Sequence, residues 1–222
     1  LRRAMQMGFR FLRTLRGFNL LRSRVIPCLL IHNKGLVKTV KFKSAKYVGD
    51  PINAVKIFNE KEVDELILLD IDATITGDEP DYQLIARIAS ECRMPLCYGG
   101  GIKTAQQAAK IIHLGVEKVA ISSEIFVNTN LLLEIAELIG RQSVVVVLDI
   151  KKTLFGRYEI YTHNARKKVK KDLFEVIREL EARGIGELVI NCIDNDGVMK
   201  GYNLDLIKKV RELTSLPLTV LG

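Results

Sequence analysis

The sequence predicts an α/β chain folded as a (β/α)8 TIM barrel built from two half-barrel repeats and truncated at the C-terminus after strand seven. Three observations predict it. Short apolar runs alternate with segments of helical period from residue 25 onward. The runs are rich in Val, Ile and Leu without strict polar alternation, which suits parallel strands covered on both faces. The chain also repeats itself. A shift of 122 residues lays DELILLDID (64–72) on GELVINCID (186–194) and MPLCYGG (94–100) on LPLTVLG (216–222). A shift of 119 lays VIPCLLI (25–31) on VVVVLDI (144–150). Two four-strand halves make an eightfold barrel, whereas an open dinucleotide-binding sheet would need a glycine fingerprint that is absent.

The predicted strands are 25–31, 65–71, 95–98, 117–122, 143–150, 187–193 and 216–221. Amphipathic stretches at 51–61, 104–114, 130–139 and 172–183 read as the helices between them. Thr104 and Asn130 are the expected N-caps, and Gly115 and Gly184 the expected stops. The second copy ends with strand seven at Gly222, so strand eight is expected to be missing from a truncated chain.

The composition, 222 residues with 48% hydrophobic and 27% charged, fits one globular domain and excludes a disordered chain. No apolar run reaches eighteen residues, so no membrane span is expected. Of 34 basic side chains, twelve lie in residues 1–49 with no acid among them; the remaining 22 face all 26 acids. Residues 1–23 therefore read as a basic leader and 24–222 as the barrel. The leader has three readings: a nucleic-acid or lipid contact, an organelle transit peptide, or sequence outside the fold. Cys28, Cys92, Cys97 and Cys192 form no CxxC pair and read as buried free thiols in a reducing cytoplasm. No metal or other cofactor is expected.

In a βα barrel the working side chains sit at the C-terminal strand ends. Gly99, Gly100 and Gly101 end strand three, and Ser122 and Ser123 end strand four. Glycines that let backbone N–H groups approach a ligand, with two hydroxyls alongside, suit a phosphate. A tight βα turn would ask for the same glycines. Asp194 to Gly197 end strand six, with Asp196 and Gly197 as the second anion-binding candidates. The two grips imply a small-molecule substrate phosphorylated at both ends. Asp149 ends strand five as a candidate general acid or base; its repeat equivalent is Leu30. At the opposite rim, Arg24, Glu65, Lys118 and Glu187 begin strands one, two, four and six, and could form a charged ring.

These motifs resemble the cyclase subunit of imidazole glycerol phosphate synthase. The carriers are RVIPCL (24–29), Lys38, VGDP (48–51), DELILLDI (64–71), GGGI (99–102), LDIK (148–151) and IDNDGVMKGYN (193–203). The resemblance implies a glutaminase subunit docked on the barrel bottom, with ammonia entering through a gate of Arg24, Glu65, Lys118 and Glu187. It implies Asp149 as catalytic residue, and Lys38, Gly100, Gly101, Ser122, Ser123, Asn191, Asp196 and Gly197 at the phosphorylated substrate. The family's aspartate pair falls on Leu30 and Asp149, so its first member is lost. Ser122-Ser123 stand where the family has Asn-Thr, and Asn191 where it has threonine. That pattern is similar to a divergent branch found with surface-polysaccharide genes. There a further amidotransferase takes part, and an acetamido group on a nucleotide sugar becomes an acetamidino group. The basic run Arg166 to Lys171 could meet such a diphosphate, or be a solvated face. The expected function is therefore an ammonia-using synthase subunit for sugar amidination. The alternatives are the histidine-pathway cyclase and a non-catalytic ammonia-conducting scaffold. Nucleic acid is the least expected partner.

Overall fold

The computed structural model describes residues 23–222. The expected leader, 1–23, lies outside the described residues except for Ser23. The first half of the chain forms β1 (Cys28–His32), β2 (Gly35–Val40), β3 (Lys43–Gly49), α1 (Pro51–Glu60), β4 (Leu66–Asp70), α2 (Ala73–Thr76), α3 (Tyr82–Glu91), β5 (Leu96–Gly99), α4 (Ala105–His113) and β6 (Lys118–Ile121). The second forms α5 (Leu131–Ile139), β7 (Val144–Lys152), β8 (Tyr158–Thr162), β9 (Lys167–Lys168), α6 (Leu173–Arg183), β10 (Glu187–Cys192), α7 (Leu204–Leu213) and β11 (Leu218–Leu221). Seven strands pair in parallel in the order β1, β4, β5, β6, β7, β10 and β11, each crossover carrying helix. This is the strand order of a βα barrel, and all seven predicted strands are present. Among the described residues no helix is long and apolar enough to cross a membrane.

Strand β7 shows why the runs read as unbroken apolar sequence. Val144, Val146, Leu148 and Ile150 pack outward beneath the helices, in the large core. Val145 and Val147 face the barrel interior with Ile67, Cys97, Ala120 and Val189. Both faces are dry, so the period of two is present in space and invisible in hydropathy. The interior set is made of smaller side chains than the outer one.

The helices start where capping chemistry places them. Thr104 and Gln107 form a reciprocal capping box at α4. Asp50 and Asp172 accept backbone N–H groups at α1 and α6, and Gly184 ends α6 in the left-handed region. Asn130 precedes α5 but makes no side-chain cap, which corrects the expectation. The Asn128 Oδ1 instead accepts the Asn130 N–H at 3.0 Å.

The repeat is written into the hydrogen bonds. Ile71 N–H donates to Ile31 O at 3.0 Å in one half, and Ile193 N–H to Ile150 O at 2.9 Å in the other. Asp72 Oδ2 accepts Asn33 N–H at 2.7 Å, and Asp194 Oδ2 accepts Lys152 N–H at 2.9 Å. Each half also carries an antiparallel extension that the hydropathy pattern does not mark: β2–β3 beyond β1, and β8–β9 beyond β7. Six of the seven β3 residues are exposed, so the strand has no buried face to leave an apolar signal.

Candidate active site

A cavity of about 390 Å³ opens at the C-terminal ends of the strands. Asp149, Leu30, Asn191, Asp196, Gly197, Gly100, Gly101, Ser122 and Ser123 all line it. The site residues expected from the sequence thus converge on one mouth, with one exception. Lys38 is exposed on β2, opposite Lys46 of β3, and does not line the cavity. Its neighbour Thr39 faces inward in its place.

Asp149 sits on β7 opposite Asn191 of β10, and Asn191 Nδ2 donates to Asp149 Oδ1 at 2.9 Å. Burial pushes its carboxyl up to about 7; the Asn191 hydrogen bond opposes the rise and the Asp196 charge adds to it. A carboxyl that ionises near neutrality can take up and return a proton at little cost. Leu30 lies at the matching end of β1, paired with Leu69, and presents an alkyl surface to the same cavity. Cys28 lies in the cavity wall with its thiol pushed up to about 12 by burial, then by Asp149 and Asp196. It is therefore protonated.

Gly100 and Gly101 have φ of 124° and 70°. A Cβ on Gly100 would stand 2.5 Å from Asp70 O, so backbone alone fits that wall. On the other side, the Asp196 carboxylate lines the cavity and is engaged by the β2–β3 hairpin. Its Oδ2 accepts Thr39 Oγ1–H at 2.7 Å and Phe42 N–H at 2.9 Å, and its carbonyl accepts Lys41 N–H at 2.9 Å. Asp196 ties the β2–β3 hairpin to the loop after β10. Phe42, Asp70, Lys103, His163 and Asn164 also line the cavity and were not singled out in the sequence. Phe42, His163 and Asn164 arrive on the two hairpins; the sequence signal for the latter pair is HNARKKVKKD (163–172) where the resembled family has a glycine-containing stretch, and in the structure His163 and Asn164 take left-handed φ.

At the opposite end of the barrel, four charges close into a ring. Arg24 Nη1 and Nη2 reach Glu65 and Glu187 at 2.8 Å each, and Lys118 Nζ reaches Glu65 at 2.8 Å and Glu187 at 2.9 Å. Both glutamates are buried, at 4% exposure. Burial works against the Glu187 charge, yet Thr219, Lys118 and Arg24 hold its carboxyl below the usual range. Between ring and mouth lies the interior set of Ile67, Cys97, Ala120, Val145, Val147 and Val189. Among the described residues no group of three or more His, Cys, Asp or Glu could hold a metal ion.

Residues 24–222 match the histidine biosynthesis protein family. The chain belongs to that family. Within the histidine biosynthesis family it is similar to a Vibrio vulnificus protein described as "Putative imidazole glycerol phosphate synthase subunit hisF3". The two are 61% identical over 94% of this chain and 80% of that protein. A Pseudomonas aeruginosa protein of the same description, numbered hisF2, is 50% identical over 91% of this chain and 81% of its own length. Identity falls to 37% for the "Imidazole glycerol phosphate synthase subunit HisF" of Exiguobacterium sibiricum, over 91% of this chain and 81% of that protein. The chain stands on a divergent branch of the family.

Proposed function

We propose that this chain is an ammonia-using synthase subunit of the imidazole glycerol phosphate synthase cyclase type. One observation carries the reading: a carboxyl that ionises near neutrality, Asp149, stands in a mouth cavity joined by a small-residue interior to a closed ring of charges. In this reading a glutaminase partner docks at the ring, and Arg24, Glu65, Lys118 and Glu187 gate ammonia into the interior. At the mouth, Gly100, Gly101, Ser122 and Ser123 hold one phosphate of the substrate, and the backbone at Asp196 and Gly197 the other. Ammonia adds to a carbonyl carbon of the substrate, the C–O π pair moves to oxygen, which takes a proton from solvent, and the nitrogen loses its extra proton to the Asp149 carboxylate, oriented by Asn191. Free thiols at all four cysteines fit a reducing cytoplasm. The names of the relatives support imidazole glycerol phosphate as the product.

Leu30 favours a second reading. With an alkyl group where the cyclase pattern has its other aspartate, one carboxyl remains for proton transfer. Such a site suits a reaction with a lighter proton traffic than ring closure, namely amidination of a nucleotide sugar with a further amidotransferase. The test is rescue of a cell that lacks the histidine cyclase. Growth without histidine sinks the sugar reading. Failure to grow, with ammonium-dependent amidination of a nucleotide sugar in the presence of partners, sinks the cyclase reading. An Asp149→Asn variant with undiminished turnover sinks both and leaves an ammonia-conducting scaffold.

A further inference from the structure

A lysine ammonium faces the ring of a histidine that lines the cavity. Lys167 Nζ stands 3.4 Å from His163 Nε2, and among the described residues Lys167 makes no salt bridge. An ammonium can only donate, so Nε2 accepts and the ring proton lies on Nδ1. That Nδ1–H donates to Thr162 Oγ1 at 3.1 Å, and the Thr162 hydroxyl donates to Lys167 O at 3.5 Å. The ring is therefore fixed, neutral and edged by a cation.

The turn that carries it is held in place. His163, Asn164 and Ala165 have φ of 54°, 53° and 61°, a left-handed run unusual for three residues other than glycine. His163 N–H donates to Ser123 Oγ at 3.4 Å, and Asn164 Nδ2 to Ile71 O at 2.9 Å. These contacts bring a histidine from the second half of the barrel next to the serine pair of the first.

We propose that His163 and Lys167 form a proton-coupled anion grip at the mouth. A phosphate held by Gly100, Gly101 and Ser123 displaces the 3.4 Å Nζ–Nε2 contact and accepts from both groups, and His163 binds it as the imidazolium. The proton comes from solvent. The inference rests on the proposed reading of the mouth as a phosphate site, and adds a specificity residue to it. The charged groups acting on His163 are Lys167 of β9, which with burial keeps the imidazole below its usual range, and Glu124 of the turn after β6, which acts the other way. Lys103 lines the same cavity. A dianion arriving beside Lys167 reverses the sign of the local field and favours the charged ring.

The experiment follows the imidazole resonances of the three histidines from pH 5 to 8, with and without inorganic sulfate, which stays doubly charged throughout. The His163 midpoint should rise by about one pH unit with sulfate. By linkage, sulfate should then bind about tenfold tighter to the protonated protein. In His163→Gln this pH dependence should vanish, and in Lys167→Gln the sulfate-free His163 midpoint should move up. Sulfate that perturbs the Gly100 and Ser123 amides while the His163 midpoint stays fixed overturns the grip and leaves the phosphate mouth standing. Sulfate that perturbs no mouth amide overturns both.

Discussion

In the proposed reaction Asp149 is the acid or base, and two local facts act on its carboxyl. The barrel wall screens it from water, and among the described residues Asn191 is the only side chain hydrogen-bonded to it. As the accepting base it must be ionised, so turnover should climb as pH rises through about 7 and level off above. Asp149→Asn should lower kcat by about 10²–10⁴-fold, the usual worth of a positioned acid or base. Stability runs the other way. The carboxyl titrates near 7 in the fold but near its ordinary value unfolded, so between those pH values the native state holds a proton that the unfolded chain has lost. The group favours folding at low pH, and that contribution disappears as pH rises through about 7. Asp149→Asn should therefore be more stable than the parent at pH 8, by up to about 4 kcal/mol, as read by urea unfolding. Leu30→Asp tests the other wall of the cavity. A second carboxylate should raise the Asp149 midpoint further. It should also raise imidazole glycerol phosphate formation from ammonium; no gain would mean that a second acid is not what limits this chain. Asp149 and Leu30 are legible in the sequence because a shift of 119 lays one apolar run on the other and brings these two positions together. It could not show that Asp196 would be turned to Thr39 and Phe42, since those partners lie 157 and 154 residues away.

Elements differ in how plainly they announce themselves, and the difference is burial. All seven parallel strands lie between the interior set and the helices, so each leaves an apolar run in the chain. The hairpins do not, because β3 is exposed along most of its length and β9 has only two residues, both exposed lysines. Yet they complete the mouth: β2 brings Thr39, the turn after it Phe42, and the turn after β8 His163 and Asn164. A reading restricted to strand ends therefore finds the walls of the cavity and misses its lid-side residues. The first hairpin depends on Asp196, which holds Thr39, Lys41 and Phe42 together. Asp196→Ala should raise amide exchange over residues 35–49 by at least about tenfold, the loss of roughly 1.5 kcal/mol expected for a hydrogen bond to a charged group. Exchange in β5 and β6 should stay as it was. An unchanged hairpin would place its anchor elsewhere.

At the scale of the whole molecule, the barrel joins a floor and a mouth built on opposite electrostatic plans. The floor carries alternating charges that satisfy one another, with Glu65 and Glu187 nearly inaccessible to water. Removing Glu187 leaves the exposed Arg24 and the half-buried Lys118 sharing Glu65 alone, so Glu187→Gln should cost about 1.5–3 kcal/mol in urea unfolding, the worth of hydrogen bonds to charged groups. The mouth carries glycine backbone, two hydroxyls and a single half-buried carboxyl in the proposed catalytic role. Between them Cys97 of β5 is buried at 1% exposure, close enough to Glu65, Lys118 and Glu187 for their charges to act on its thiol. It does not line the mouth cavity. Cys97→Leu therefore fills the interior without touching the proposed substrate contacts. Overpacking should cost about 1–3 kcal/mol. If ammonia travels through this interior, turnover driven by glutamine and a glutaminase partner should fall at least about tenfold. Turnover driven by ammonium salts entering at the mouth should stay within about threefold, because the transition state still meets the same groups there. Equal loss in both assays would mean that the substitution distorts the mouth; equal retention would mean that nitrogen reaches Asp149 by another route.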